Sequence, residues 1–146
     1  MKKTLLILVA IVFAATACNK QTYVDGTYHV TFDTLDSHGW NAFVEFTLVG
    51  DEITDVDFDY LDIDGLRKSE DTAYASRMYP VAGTSPDLYC PQIESAIMNT
   101  TIIPDYVDID VVTGATSSTG NANELMAAGL ESAVEGSTDV VLTQED

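Results

Sequence analysis

Positively charged residues are rare in this sequence. Six Lys and Arg residues stand against 24 Asp and Glu residues, which gives a net charge of −18. Nucleic acid and anionic lipid headgroups repel so acidic a surface, and we therefore expect neither as a direct binding partner. The same charge favours solubility and cationic partners.

Side chains arranged for catalysis or metal binding are also few. His29 and His38 lie apart without metal-ligand spacing, and no nucleophile is paired with a base along the chain. The acidic run from Asp55 to Asp64 suggests calcium, but an EF-hand loop on Gly65 would need its first ligand where Tyr60 stands. We interpret the run as the solvated face of a strand and a turn, and predict neither a metal site nor a catalytic residue.

The N-terminus carries the apolar run Leu5–Ala15, which follows Lys2 and Lys3 and precedes Cys18. A charged start, a short apolar segment and small residues before a break are typical of a secretory signal peptide, and the segment is too short to remain as a membrane helix. The ending resembles a bacterial lipoprotein signal, in which Cys18 is acylated and becomes the new N-terminus. A plain signal peptide cut just before Cys18 is the alternative.

This processing changes what the rest of the chain contains. Loss of Lys2 and Lys3 takes the net charge from −18 to −20, and Cys90 is the one thiol left after Cys18 is lipidated. No internal disulfide is then available, so packing must supply the stability, and we expect Cys90 to be a buried small hydrophobe. The predicted organisation is a signal peptide over residues 1–17, a lipidated tether over 18–25 and one domain over 26–146.

Alternating apolar residues predict three strands, over residues 27–33, 40–49 and 53–60, joined by short turns as an antiparallel meander. In the third strand Val56, Phe58 and Tyr60 share one face, which leaves the aspartates on the other. Helices are predicted after Ser69, after Ser85 with Pro86 at the first helical position, and from about Thr119 to Ala133. The C-terminal segment 140–142 either pairs as an edge strand or frays. The fold class is therefore α+β: an antiparallel sheet flanked by about three helices in a single small domain.

A hydroxyl-rich turn, Asp110-Val-Val-Thr-Gly-Ala-Thr-Ser-Ser118, follows the alternating run Val107, Ile109 and Val111 and precedes the last helix. A helix start offers unpaired N–H groups and a partial positive charge, so a turn between strand and helix is suited to hold a phosphate. The alternative is that Ser118 or Thr119 simply caps the helix. Arg67-Lys68 is the basic pair of the processed chain, and it could help to hold a phosphate or a reduced flavin near Thr116.

Asp110, Thr113, Gly114, Ala115 and Thr116 together resemble the flavinylation motif of FMN-binding domains, found in sodium-pumping NADH:quinone oxidoreductase and in extracytoplasmic flavoproteins. Other segments are similar to small FMN-binding lipoproteins over nearly the whole processed chain: Asp25-Gly-Thr-Tyr28, His38-Gly-Trp40, Asp64-Gly65, Lys68-Ser-Glu-Asp71 with Tyr74 and Met78, and Gly83-Thr-Ser-Pro86 with Tyr89.

The resemblance implies that a Mg-dependent flavin transferase joins FMN to Thr116 as a phosphoester, with Asp110 taking part in the transfer. The implied cofactor-binding residues are Thr116, Asp110, Thr113, Gly114, Ala115, Ser117, Ser85, Tyr89, Tyr74 and Lys68. The expected protein is a redox carrier more than an enzyme, lipid-anchored on the extracytoplasmic side, between a membrane electron donor and an extracytoplasmic acceptor. Two alternatives stay open: an electron-entry partner of a separate reductase, and a surface lipoprotein that acts as a binding or structural module without covalent flavin.

Overall fold

The computed structural model describes residues 23–100 and 108–144. In chain order the elements are strands β1 (Gly26–Phe32), β2 (Asn41–Val49) and β3 (Glu52–Leu61), a 3-10 turn (Lys68–Glu70), helices α1 (Thr72–Ala82), α2 (Pro86–Met98) and α3 (Thr116–Glu135), and strand β4 (Asp139–Leu142). The α+β class and the three helices predicted from the sequence are confirmed.

The four strands form one mixed sheet in the order β3-β2-β1-β4. The first three pair antiparallel as the predicted meander, whereas β4 pairs parallel to β1 after the crossover through α3. The C-terminal segment therefore does pair as an edge strand. Its parallel direction follows from the connection, because a strand that returns after a packed helix enters the sheet from the same end as the first strand.

One face of the sheet carries the core. Alternation places Tyr28 and Val30 of β1 on the same side as Phe46 of β2, and α3 packs its apolar stripe, including Leu125 and Leu130, over this face. The side chains are fully buried because each strand presents every second residue to the helix layer. Helix α2 covers the β3 end of the same layer.

The opposite face of β3 was predicted to be solvated, and this prediction is wrong for Asp59, which is 1% exposed. After β3 the chain turns back, so that the Arg67 guanidinium lies over the Phe43 ring at 5.2 Å and pairs with Asp57. Ser69 donates a hydrogen bond to Asp59 from its hydroxyl and another from its backbone N–H, at 3.2 Å. Strand alternation could not anticipate this cover, because it comes from a later segment.

Helix starts differ from the sequence prediction in two of three cases. Ser69 lies in the 3-10 turn, and Asp71 caps α1 by accepting a hydrogen bond from the Tyr74 N–H at 2.9 Å. The start of α2 is confirmed, with Ser85 at the N-cap and Pro86 as the first helical residue. Helix α3 begins at Thr116, earlier than predicted, so neither Ser118 nor Thr119 caps it.

Cys90 is buried on α2, as predicted, and burial raises the pKa of its thiol well above the ordinary value. Also on α2, Glu94 accepts a hydrogen bond from the Phe58 N–H at 3.0 Å, which covers the outer edge of β3. Burial raises the pKa of this carboxyl as well. Burial thus favours the neutral form of two groups on α2, the Cys90 thiol and the Glu94 carboxyl.

Residues at the domain boundary are part of the fold. Tyr23, assigned by the sequence to a tether, is buried, and its N–H donates to Asp51 at 2.8 Å. The Val24 N–H donates to the Ala133 carbonyl at 2.9 Å.

The predicted signal peptide, Cys18 and Val107 lie outside the described residues. Residues 108–112 form no strand, which corrects the prediction of a strand directly before the hydroxyl-rich turn. In the described ranges, no helix has the length and apolar character needed to cross a membrane.

Candidate functional site

A partly open cleft of about 560 Å³ lies between the end of β3, the 3-10 turn, α1, α2 and the start of α3. Its size falls within the range of small-molecule sites in proteins. The lining residues are Asp36, Ser37, His38, Tyr60, Lys68, Tyr74, Met78, Tyr89, Gly114, Ala115, Thr116, Ser117, Ser118, Asn121 and Gln144. Aromatic and apolar side chains thus share the cleft with hydroxyl and charged groups.

The turn before α3 is held in one conformation by its own hydrogen bonds. Gly114 has φ +77°, and a Cβ there would lie 2.7 Å from the Ala82 carbonyl oxygen, so the turn packs directly on the segment between α1 and α2. Within α3, the Thr119 hydroxyl donates to the Ala115 carbonyl at 2.9 Å and accepts from the Val112 N–H at 3.1 Å. These contacts fix the first turn of α3 against the cleft.

The first turn of α3 presents donors to this cleft. No described residue accepts a hydrogen bond from the backbone N–H groups of Thr116, Ser117 or Ser118. The side chains of Thr116 and Ser117 are exposed, and that of Ser118 is buried in the wall. Unpaired N–H groups and hydroxyls at a helix N-terminus favour an anionic group.

Lys68 contributes a buried cation to the opposite wall. The residue is 6% exposed, and its Nζ lies 4.4 Å from the centre of the Tyr60 ring, 4.7 Å from that of Tyr74 and 5.5 Å from that of Trp40. Three rings surround the ammonium, and no ion pair or hydrogen bond links it to any residue within 23–100 and 108–144. Its Nζ is nevertheless open to the cleft, because Asn41 Oδ1 is the one fully buried side-chain N or O atom without a partner in those ranges. Arg67, by contrast, is paired with Asp57 away from the cleft.

Two buried phenols, those of Tyr60 and Tyr89, line the cleft. The Tyr60 hydroxyl donates to Ser118 Oγ at 2.9 Å and accepts from Asn121 Nδ2 at 3.1 Å. Burial raises the pKa of Tyr60 to about 12, and burial also raises the pKa of Tyr89. Both phenols therefore stay protonated at neutral pH, and the Tyr60 hydroxyl joins the first turn of α3 to β3.

The outer rim of the cleft is built on a turn after β1. Asp36 Oδ1 accepts hydrogen bonds from the His38 N–H at 2.8 Å and from the Trp40 N–H at 2.9 Å, which fixes Ser37 and His38 at the rim. Trp40 also meets Tyr74 edge to face, with ring centres 6.0 Å apart. These contacts connect the loop after β1 to α1 across the aromatic part of the cleft.

Most of the residues proposed from the resemblance come together here. Thr116, Gly114, Ala115, Ser117, Tyr89, Tyr74 and Lys68 all line the cleft, and Met78 joins them. Three others do not line it. Ser85 is buried at the start of α2, where its hydroxyl donates to Asp87, and Thr113 is exposed on the turn. Asp110 is exposed and lines a separate depression with Ala96 and Thr100.

Sequence reasoning missed several lining residues, among them Asp36, Ser37, Tyr60, Asn121 and Gln144, whereas Ser118 was part of the predicted hydroxyl-rich turn. One signal was available for Asn121. Residues 114, 118 and 121 follow helical spacing, so a helix start placed at Thr116 would have brought Ser118 and Asn121 to the cleft. Tyr60 was predicted only as a core residue. No group of three or more potential metal ligands is present in the part of the chain that the structure describes.

The fold and the cleft define a small α+β domain with room for one small molecule beside a helix N-terminus. The chain is 33% identical over 128 residues to the 15 kDa lipoprotein of Treponema pallidum (strain Nichols). The match covers 88% of this chain and 89% of that protein. The chain belongs to the family of this 15 kDa lipoprotein.

The crystal structure of the CPE2226 protein from Clostridium perfringens has a similar fold, with a TM-score of 0.78 and 32% sequence identity. The match covers 85% of this chain and 99% of that chain. No protein-family model matches the chain. The coarse prediction of a lipoprotein is thus consistent with the family, whereas the cofactor stays a prediction.

Proposed function

We propose that this protein is anchored outside the cytoplasm through a lipid on Cys18 and carries one FMN in the cleft, joined by its phosphate to Thr116, as an electron-transfer carrier. One observation supports this most. Thr116 is the first residue of α3, its side chain is exposed, and it lies on the rim of a ligand-sized cleft.

The helix start suits a phosphate on the Thr116 hydroxyl. The N–H groups of residues 116–118 have no partner among the described residues, and a phosphate ester on Thr116 would lie within reach of them. The hydroxyl of Ser117 adds a further donor. The single negative charge of such a phosphodiester would also be stabilised by the helix dipole.

The remainder of the cleft suits a flat heteroaromatic ring. Tyr74, Tyr89 and Met78 line it, and Lys68 offers a positive charge within the aromatic wall. A cleft of about 560 Å³ also agrees with a single nucleotide-sized ligand. The residues present therefore fit the group, and their work is to bind it, to orient it and to exclude water from one side.

FMN when bound supplies one- and two-electron exchange, so this chain need not supply catalytic groups of its own. A covalent link has a physical advantage outside the cytoplasm, where a cofactor that dissociates is lost. Asp110 lies outside the cleft and is exposed, which agrees with a role during flavin transfer instead of in redox chemistry. The proposed partners are the flavin transferase, a membrane electron donor and an extracytoplasmic acceptor.

Coexpression with a flavin transferase tests the proposal. We expect the denatured wild-type protein to fluoresce in a gel and to gain the mass of one FMN less one water. Thr116→Ala removes the hydroxyl and should abolish both signals, whereas Thr116→Ser keeps a hydroxyl and should retain them. Ser117→Ala is the matched control, because it removes the neighbouring hydroxyl of the same cleft.

A wild-type protein without any adduct would contradict the covalent carrier. It would leave the alternative of a surface lipoprotein that binds a different small molecule, or flavin without a covalent bond. If the adduct forms, reduction of candidate terminal reductases by the loaded protein would distinguish an electron-entry partner from a general carrier.

A further inference from the structure

We propose that Lys68 is the group that recognises negative charge on the ring of the bound flavin, and that its ammonium thereby favours the reduced ring over the oxidised ring. This inference rests on the proposed function. It assigns to Lys68 an influence on the reduction potential of the flavin. Lys68 lies on a different wall of the cleft from the start of α3.

The first observation is burial without an acceptor. Lys68 is 6% exposed, its Nζ lies among Trp40, Tyr60 and Tyr74, and no carboxylate within residues 23–100 and 108–144 pairs with it. A lysine ammonium has three N–H donors, and here they can be used only by water or a ligand in the cleft. The aromatic rings hold the ammonium through cation–π attraction, but they accept no conventional hydrogen bond.

The second observation is the contrast with the adjacent residue. Arg67 makes a bidentate pair with Asp57, and its Nη1 also lies 3.6 Å from Asp59 Oδ2. The acidic groups of this segment thus neutralise Arg67 and leave Lys68, which lines the cleft. The Lys68 side chain is largely enclosed by rings, while its unpaired ammonium meets a ligand-sized space, so the geometry points to an acceptor on the ligand.

The third observation separates Lys68 from the phosphate position. Tyr60 stands between the two, with its ring face against Lys68 and its hydroxyl on Ser118 of α3. The start of α3 has its own donors for a phosphate, whereas Tyr74 and Met78 line the cleft with Lys68 and give a flat ligand ring an apolar surface. We therefore place the ring edge, and not the phosphate, at Lys68.

The chemistry that links charge to potential is general. A flavin ring held in this cleft would carry one negative charge after uptake of two electrons, supplied by dithionite in the experiment, and one proton from water. The Lys68 ammonium would donate a charge-assisted hydrogen bond to that ring, and it would stabilise the reduced ring more than the neutral oxidised ring. Removal of the ammonium should lower the reduction potential.

The experiment compares covalently loaded wild type with Lys68→Met, which keeps the length of the side chain and removes its charge. Potentials are measured at pH 7 by dithionite titration against reference dyes. We expect the ratio of reduced to oxidised flavin at a fixed potential to fall at least about tenfold, which is about 30 mV for a two-electron couple. Lys68→Arg should retain most of the wild-type potential.

Arg77→Met is the matched control. Arg77 also lies near the Tyr74 ring, at 5.9 Å, but it is exposed and does not line the cleft. Its removal changes the net charge by the same amount as Lys68→Met, so the potential should stay close to that of the wild type. An equal shift in both variants would indicate only a general field effect and would overturn the proposal.

The other outcomes separate the two proposals. Absence of flavin in the wild type contradicts the proposed function itself. If Lys68→Met loads normally and has an unchanged potential, the role of Lys68 is overturned and the proposed function stands. Reduced loading with an unchanged potential also overturns that role, and would indicate that Lys68 binds the phosphate. Chemical denaturation of the flavin-free proteins adds a separate readout: marked destabilisation by Lys68→Met would show that the rings already satisfy the ammonium, contrary to the proposal.

Discussion

At the scale of single residues, the carboxylate of Asp59 connects three segments of the chain. It accepts hydrogen bonds from the Ser69 hydroxyl and N–H and from the Tyr60 N–H, and it lies 3.6 Å from Arg67 Nη1. The Cys90 thiol approaches it at 3.9 Å. Asp59 thus holds the segment that carries Lys68 against the end of β3, and so it positions one wall of the cleft.

We therefore predict that Asp59→Ala lowers the free energy of unfolding by about 3 kcal/mol, because it leaves buried donors without their acceptor. Denaturant titration of the flavin-free protein measures the change. Asp55→Ala is the control on the same strand, where the side chain is exposed, and it should change the free energy of unfolding by less than about 0.5 kcal/mol. Equal effects of the two substitutions would contradict the assigned role of Asp59.

At the scale of secondary-structure elements, the approach of α3 to the sheet depends on Gly129. A Cβ on this residue would lie 2.5 Å from Phe46 Cε1 and 2.8 Å from Val30 Cγ2. Real Cβ atoms do not tolerate such contacts, so the helix lies as close to β1 and β2 as a glycine permits. The same helix carries Thr116 at its start, and its distance from the sheet therefore affects the cleft.

Gly129→Ala should lower the free energy of unfolding by about 1–3 kcal/mol, because the added methyl group overpacks the core between α3 and the sheet. Gly120→Ala is a matched substitution in the same helix, where an added Cβ meets nothing within 4 Å. Alanine is a better helix former than glycine, so Gly120→Ala should raise the free energy of unfolding by up to about 1 kcal/mol. Thermal denaturation that gave the two variants shifts of the same sign would contradict this account of the packing.

At the scale of the whole molecule, charge is the dominant property. The full sequence has a net charge of −18, and removal of the predicted signal peptide with Lys2 and Lys3 would take it to −20. Like charges at this density repel one another and oppose the compact state. The Arg67–Asp57 pair is the main ion pair that opposes this repulsion in the described residues.

We predict that the domain becomes more stable when salt is added. Between about 0.01 M and about 0.5 M NaCl the screening length falls several-fold, and the free energy of unfolding should rise by on the order of 1 kcal/mol or more. A double variant, Glu52→Gln with Asp55→Asn, removes two exposed charges of β3 and should depend less steeply on salt. A stability that falls with salt would show that attractive ion pairs outweigh the repulsion.

Much of the fold could be predicted because local patterns dictate it. Alternation specifies β1, β2 and β3, and four-residue spacing specifies α2 and α3, because each element must bury one face. The parallel pairing of β4 and the burial of Asp59 could not be predicted in this way. Both depend on segments that are distant in the sequence and meet only when α3 and Arg67 fold back onto the sheet.

For the candidate site, the sequence by itself determined the hydroxyl-rich helix start around Thr116 and the presence of a basic pair, because residue types and local spacing fix both. Only the tertiary structure decided which member of the pair reaches the cleft: Arg67 is held by Asp57, and Lys68 lies among Trp40, Tyr60 and Tyr74. The physical reason is that a cation takes its role from its surroundings, and those surroundings come from separate strands and helices.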